Sequence, residues 1–292
     1  MTKPVALPPF DVPSSPNFEV PPLACDSHLH MVADDFPLSL TRVEDPAPGT
    51  FEKWVERLER HHKQMGLSRR IIVHSILYGA DNALTLASID ALGRDVTRGI
   101  GLVPDDAPAT DLDPLVAGGV VGVRLNYVHG GVLSWSGVQA LAPALAKRGM
   151  HVQMLVHTHQ HMVELADHIR DLPVPVCFDH MGWPDLSLGP GEPGFQALCQ
   201  LLAEGLAWVK LSAPYRLCDA PYKAAAPFAR ALLAANPERC LWGSDWPHLM
   251  LADAGLPDAG VLLNLLPDWA PDAATRMRIL VDNPAQLYGF GA

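Results

Sequence analysis

Two hydrophobic rhythms alternate along the chain. Short apolar runs of β character recur as "RRIIVHSIL", "TRGIGLV", "VVGVRLNY", "MHVQMLVHT", "VPVCFDH", "AWVKLSA" and "RCLWGSDWPH", after a first run that ends "VPPLACDSHLHM". Between them the apolar positions take helical spacing. Phe51, Trp54, Val55, Leu58 and Met65 form the first such stripe, with Thr50 as N-cap and Gly66 as terminator. Further helices are expected in "NALTLASIDALG", "DLDPLVAGG", "GVQALAPALAKRG", "HMVELADHIRDL", "GFQALCQLLAEG" and "KAAAPFARALLAA", then in "GVLLNLL" and "DAATRMRILVDNPAQLYGF". Eight strands, each followed by a helix, predict an α/β protein of the (β/α)8 TIM-barrel class. An open doubly wound sheet is the alternative, but it usually has fewer strands and a glycine-rich turn after the first, where this chain has D-S-H-L-H. The expected organisation is an extended, proline-stiffened arm over residues 1–21 and one barrel domain over 22–292.

Composition narrows the partners more than the fold. The formal net charge is −11, from 21 basic against 32 acidic side chains, so the chain lacks the basic face that nucleic acid or an anionic membrane requires. The N-terminal stretch has no apolar core of the signal-peptide kind, and no apolar run is long enough to span a bilayer. The five cysteines, at 25, 177, 199, 218 and 240, are scattered and form no C-x-x-C pair, as expected for reduced thiols in a cytoplasmic enzyme. Nothing in the sequence sets the oligomeric state.

Candidate chemistry gathers where the strands end, the face on which barrel enzymes carry their sites. His28 and His30 end the first strand, and strict alternation places Asp26 on the same face. His74 and Ser75 follow on the second, Arg124 and Asn126 on the fourth, Gln153 and His157 on the fifth. Asp179 and His180 close the sixth, Lys210 and Ser212 the seventh, Ser244 and Asp245 the eighth. Each has a plainer reading: His180 as a packed histidine, Asp245 as a cap, Arg216 as a solvated loop arginine. Arg124 lies within an apolar strand, where a cation without a partner is costly. Lys210 faces either the barrel interior or the helices.

Taken together, "DSHLH", "GVRLNYV", "FDHMG", "WVKLSAPYR" and "WGSDWPH" resemble the amidohydrolase superfamily, in particular its lactone-processing branch of the 2-pyrone-4,6-dicarboxylate lactonase kind. The resemblance runs from about Pro22 to the C-terminus and implies a distorted (β/α)8 barrel. It further implies that His28, His30, His180 and Asp245 surround a reacting carbonyl, with Asp245 as base, and that Arg124 and Arg216 hold substrate carboxylates. Asn126, Tyr127, His129 and Tyr78, the last in "YGADN", are the expected hydrogen-bond partners, with Gln153 and His157 also at the substrate. The expected activity is hydrolysis of a small acidic lactone. The expected substrate is 2-pyrone-4,6-dicarboxylate-like or a sugar-acid lactone; because Gly130 stands where a second cation is expected and Leu38 where an aromatic hydroxyl is expected, a sugar-acid lactone, or another lactone with one carboxylate and several hydroxyls, fits as well as the dicarboxylate or better. No cofactor is expected to be required, because Arg124 places a fixed positive charge by the site. A zinc or manganese ion, if bound, would use His28, His30, Asp245 and a third histidine, His180 or His157. The alternatives are a sugar-acid lactone isomerase, a zinc-dependent decarboxylase and, from another class, a non-catalytic binding protein.

Overall fold

Period-two alternation decides which side chains look inward. In the computed structural model, which describes residues 3–251 and 255–291, the strands are β1 (Cys25–Leu29), β2 (Arg69–Val73), β3 (Thr97–Gly101), β4 (Val120–Asn126), β5 (His151–Leu155), β6 (Val176–Phe178), β7 (Ala207–Ser212) and β8 (Cys240–Gly243). They form one parallel sheet in chain order. Val123, Leu125, Val152, Met154, Phe178, Val209, Leu211 and Trp242 point outward into the main core. Against them pack α1 (Phe51–Met65), α2 (Ala83–Leu92), α3 (Leu112–Ala117), α4 (Trp135–Lys147), α5 (Thr158–Arg170), α6 (Pro193–Ala203) and α7 (Ala226–Ala235). This is the distorted (β/α)8 barrel that the sequence predicts.

Inside the barrel, Cys25, Ile71, Ile100, Cys177, Trp208 and Leu241 make an apolar layer with Tyr288 and Phe290. The guanidinium groups of Arg69 and Arg98 lie over the Phe290 ring at 5.2 and 4.9 Å, which places this plug at the end where the strands begin. The opposite end is left to polar side chains.

The distortion lies at the β1/β8 seam. The two strands share no ladder, only the bridge Leu29–Trp246, with the His30 N–H donating to the Trp246 carbonyl at 2.7 Å and the Asp245 N–H to that of His28 at 2.8 Å. Asp26 ties the seam below this point. Its carboxylate accepts from the Ser244 N–H (2.9 Å), the Ser244 hydroxyl (2.5 Å) and the His28 N–H (3.1 Å). Gly243 permits the approach, since a Cβ there would lie 2.6 Å from the Cβ of His28.

Here the sequence expectation needs correcting. Along β1 and β2, Asp26 pairs with Arg70 but Leu29 with Ile72, so three residue steps on one strand match two on the other. The extra residue of this bulge breaks the alternation. Asp26 therefore does not share a face with the two histidines. It turns to the seam, 3.5 Å from His62 of α1, while His28 and His30 turn inward. Two spans also shorten: β2 stops at Val73 and passes into a turn at Ile76–Tyr78, and the expected last helix divides into two short helices, Ala273–Met277 and Asn283–Tyr288, on either side of a π-turn at Arg278–Asp282. The segment before β1 is held at several points, among them Ser14 on Asp258 and Asn17 on Asn264. No described helix is long and apolar enough to cross a membrane.

Asp26→Ala removes one acceptor from three donors, two on the Ser244 side of the seam and one on the His28 side, and leaves them unpaired in a buried place. Unfolding in urea should show a loss of about 3 kcal/mol. A loss under about 1 kcal/mol would mean that the seam does not depend on this carboxylate.

Candidate active site

A cavity of about 560 Å³ opens at the strand ends, lined on its polar side by His30, Arg124, Asn126, His129, His180, Tyr215, Arg216 and Asp245. Its other wall is apolar: Val43, Ile76, Leu155, Leu249, Met250 and Leu251. Asp245, just past β8, is the centre of the polar side. One oxygen, Oδ2, accepts from the Tyr215 hydroxyl at 2.5 Å and from Arg216 Nε at 3.0 Å. The other, Oδ1, is buried with no hydrogen-bond partner among the described residues and lies 3.5 and 3.6 Å from Nε2 of His28 and His30. Burial alone would raise the Asp245 pKa, but Arg216, His180 and the two strand-one histidines outweigh it and hold the carboxyl well below the usual range. It is a carboxylate with one free oxygen.

The histidines differ in what fixes them. His30 Nδ1 lies 2.8 Å from the Val73 carbonyl, so that nitrogen must carry a proton and donate. His180 Nδ1 meets the Ser212 hydroxyl at 2.9 Å, while its Nε2 is 3.9 Å from Asp245 Oδ2. Burial depresses its pKa to about 4 against the pull of Asp245 and Asp179, which keeps the ring neutral. Under these lies a fully buried group: His28, Gln153, Asp179 and Lys210. Lys210 thus faces the barrel interior. Its Nζ is 2.5 Å from Gln153 Oε1, 3.3 Å from Asp179 Oδ1 and 3.1 Å from His28 Nδ1, and Gln153 Nε2 donates to Asp179 Oδ2 at 3.1 Å.

Most of the backbone strain lies at the same end. His180, Met181 and Trp183 have φ of 52, 57 and 43°, and Gly182 between them 75°. Ala213 after β7, and Asp245, His248 and Met250 after β8, are left-handed as well. Each such non-glycine residue costs about 1 kcal/mol or more, and strain of this kind collects where side chains must be aimed. Gly182 has its own reason to be glycine: a Cβ there would lie 2.5 Å from Thr158 Cγ2.

The sequence-derived candidates separate accordingly. His30, His180, Asp245, Arg124, Asn126 and Arg216 meet in the cavity, whereas His28 is fully buried and touches His30 at 3.3 Å between the two Nε2 atoms. Arg216 is engaged by Asp245 and, through Nη2, by the Leu249 carbonyl at 2.9 Å. Arg124 is the opposite case. It is buried, donates Nη1 to the His74 carbonyl at 3.0 Å, leaves Nε unpartnered, and has no carboxylate within ion-pair distance among the described residues. Tyr78 is not at the cavity, because its hydroxyl donates to the Ala33 carbonyl (3.0 Å) and accepts from the Ala33 N–H (2.7 Å). Gln153 belongs to the layer beneath. His157 lies at the rim, its ring 5.4 Å from that of Trp183 and stacked on His159 and His161. Tyr215, in "APYR", was missed although it adjoins Arg216. Asp179 and Lys210 were visible only as strand-end polar residues without a role.

A parallel (β/α)8 barrel with a His-x-His pair on its first strand, facing an aspartate just past its last, defines the class, and the chain belongs to the amidohydrolase family, whose model matches residues 25–290. Its relatives include a 2-pyrone-4,6-dicarboxylate hydrolase of Comamonas testosteroni, 32% identical over 94% of this chain and 93% of that one. A 4-sulfomuconolactone hydrolase of Rhizobium radiobacter is 35% identical over 94% and 92%. Among solved structures, an apo protein of Agrobacterium tumefaciens superposes with a TM-score of 0.83 at 26% identity, over 97% of this chain and 99% of that one.

A histidine whose folded pKa is lowered stays neutral until the pH falls to the folded value. The ε1 carbon–proton resonance of His180 should therefore titrate with a midpoint about 4 rather than near the ordinary 6.5. A midpoint above about 6 would show that Asp245 outweighs burial there.

Proposed function

We propose that this chain opens the ring of a lactone bearing one carboxylate, with water as the nucleophile. One observation carries the reading: among the described residues, a single cavity holds an ionised carboxylate with a free oxygen, Asp245 Oδ1, and a buried guanidinium without a counter-ion, Arg124. The first is placed to take a proton from water, and the second needs an anion that no described residue supplies. Both relatives' names denote hydrolases of acidic lactones, which supports the same reading.

In this reading Asp245 Oδ1 orients water and accepts its proton as the oxygen attacks the lactone carbonyl. Tyr215 and Arg216 grip Oδ2 and so hold the free oxygen in place. The same grip lowers basicity, so the carbonyl must be strongly polarised for the step to proceed. His180 is suited to polarise it. With Ser212 donating to Nδ1, its Nε2–H faces the cavity and supports the developing oxyanion. With the His30 proton on Nδ1, its Nε2 presents a lone pair and so receives hydrogen bonds there rather than donating to the carbonyl. The ring C–O bond then breaks, and the proton held by Asp245 passes to the departing oxygen.

Substrate shape follows from the other wall. With Arg216 engaged and open space around Gly130, Arg124 is the cavity cation that remains for an acid group among the described residues. The apolar wall gives hydroxyls few partners. An unsaturated or hydrocarbon-faced ring with one carboxylate therefore fits better than the polyhydroxylated sugar-acid lactone that the sequence also offers.

His28 Nε2, His30 Nε2 and Asp245 Oδ1 lie within 4.8 Å of one another, and the orphaned Oδ1 suits a divalent cation such as zinc or manganese. These three residues would hold it. His180, closer to Oδ2, lies outside the set. When bound, the ion would polarise the carbonyl and acidify water. Each step above is carried by side chains.

Asp245→Asn should leave the fold intact and lower kcat about 10²- to 10⁴-fold on a mono-acidic unsaturated lactone. Reaction in ¹⁸O water should label the product carboxylate once. An unlabelled, rearranged product would select the isomerase, and carbon dioxide release the decarboxylase. Arg124→Met should cost kcat/KM about 100-fold on that lactone and little on its neutral ester. Equal losses on both would mean that Arg124 serves the structure alone.

A further inference from the structure

The layer beneath the cavity contains a choice of proton position. Two groups compete for Nδ1 of His28: Asp179 Oδ1, an acceptor, at 3.1 Å, and Lys210 Nζ, a donor, also at 3.1 Å. If Nδ1 carries the proton, it donates to Asp179. The third N–H of Lys210 then has no acceptor in a place with no solvent, and Nε2 of His28 turns a lone pair toward the lone pair of His30 Nε2 at 3.3 Å. If the proton is on Nε2, every group is matched. Lys210 donates its three N–H groups to Gln153 Oε1, Asp179 Oδ1 and His28 Nδ1. His28 Nε2–H donates to His30 Nε2, and His30 Nδ1–H donates to the Val73 carbonyl.

We propose that Lys210 is a positioning residue that holds His28 in the Nε2–H tautomer. Hydrogen bonds then run one way from Lys210 through His28 and His30 to Val73, and the histidine pair is closed to metal ions at rest. No proton is gained or lost between the two arrangements, which differ only in which ring nitrogen carries it. A cation at the His28, His30 and Asp245 atoms needs a bare Nε2. Binding it therefore forces the His28 proton to Nδ1, where Asp179 accepts it and Lys210 opposes it. Asp179 favours metal, as the outer carboxylate of a metal-bound histidine does. Lys210 disfavours it. The opposition has a second consequence: with His28 Nε2–H turned to His30, Asp245 Oδ1 stays free for water. The inference rests on the reading of His30 and Asp245 as site groups, but its test uses no turnover, so its failure is distinct from failure of the lactonase reading.

The test is a long-range proton–nitrogen correlation spectrum of ¹⁵N-histidine-labelled, metal-free protein, with the His28 signals assigned by their loss in His28→Asn. The expected spectrum shows a protonated Nε2 and a bare Nδ1 for His28. Lys210→Met should move the proton to Nδ1 and tighten zinc binding about 10- to 100-fold, measured against a chromophoric chelator. A protonated Nδ1 in the wild-type protein overturns the proposal, as does a folded Lys210→Met protein with unchanged tautomer and zinc affinity. If that variant does not fold, the wild-type spectrum decides.

Discussion

Closure of the barrel across β1 and β8 is the constraint on which the site depends. The two histidines belong to the first strand and the aspartate follows the last, so they meet only if the ends of the chain's sheet are brought edge to edge. Ordinary ladder pairing does not do this here. A buried carboxylate, Asp26, does it by accepting from both sides of the seam, and a glycine opposite His28 removes the obstacle. A bulge is what allows Asp26 to reach the seam while His28 and His30, two and four residues later, reach the interior. The same local irregularity thus joins the barrel and aims its first two functional side chains.

Charge inside the barrel is arranged in tiers. The apolar plug of Tyr288 and Phe290 closes one end. Above it Asp179 and Lys210 neutralise each other without solvent, and above them Asp245 and Arg216 do so at the cavity floor. Neutral histidines lie between the two pairs, kept uncharged chiefly by burial. Arg124 is left over. A cavity that pairs Asp245 with Arg216 and leaves a buried guanidinium without a carboxylate among the described residues favours an anion as what enters.

Much of this was legible in the sequence for a simple reason. Alternation is a property of extended backbone, so an apolar strand such as "GVRLNYV" or "AWVKLSA" with polar residues at every second place declares an inward polar face before any coordinates exist. That logic accounts for Arg124 and Asn126, whereas His180 and Asp245 stood out by their strand-end places and took their roles from the family resemblance. Alternation failed where the backbone leaves the period, as at Asp26, and the resemblance failed where a side chain's partner is distant main chain, as at Tyr78. Lys210 shows a third limit: its side was ambiguous because lysine inside a barrel is costly unless several acceptors converge on it, and those acceptors come from β5, β6 and β1. The left-handed run from His180 to Trp183 had no sequence signal, since only one of its four residues is glycine.

Arg216 joins two parts of the molecule that a chemist would wish to vary separately. With one edge it grips Asp245, and with Nη2 it holds the carbonyl of Leu249, the residue that begins the apolar wall. The next residue of that wall, Met250, is tied in turn to Glu44 through its backbone N–H. The hold on Asp245 and the shape of the pocket therefore share a mechanical strut. Under the proposed mechanism a wider wall comes with a looser base, and a stiffer base with a narrower range of rings, so breadth of substrate and speed on any one of them trade against each other through a single guanidinium.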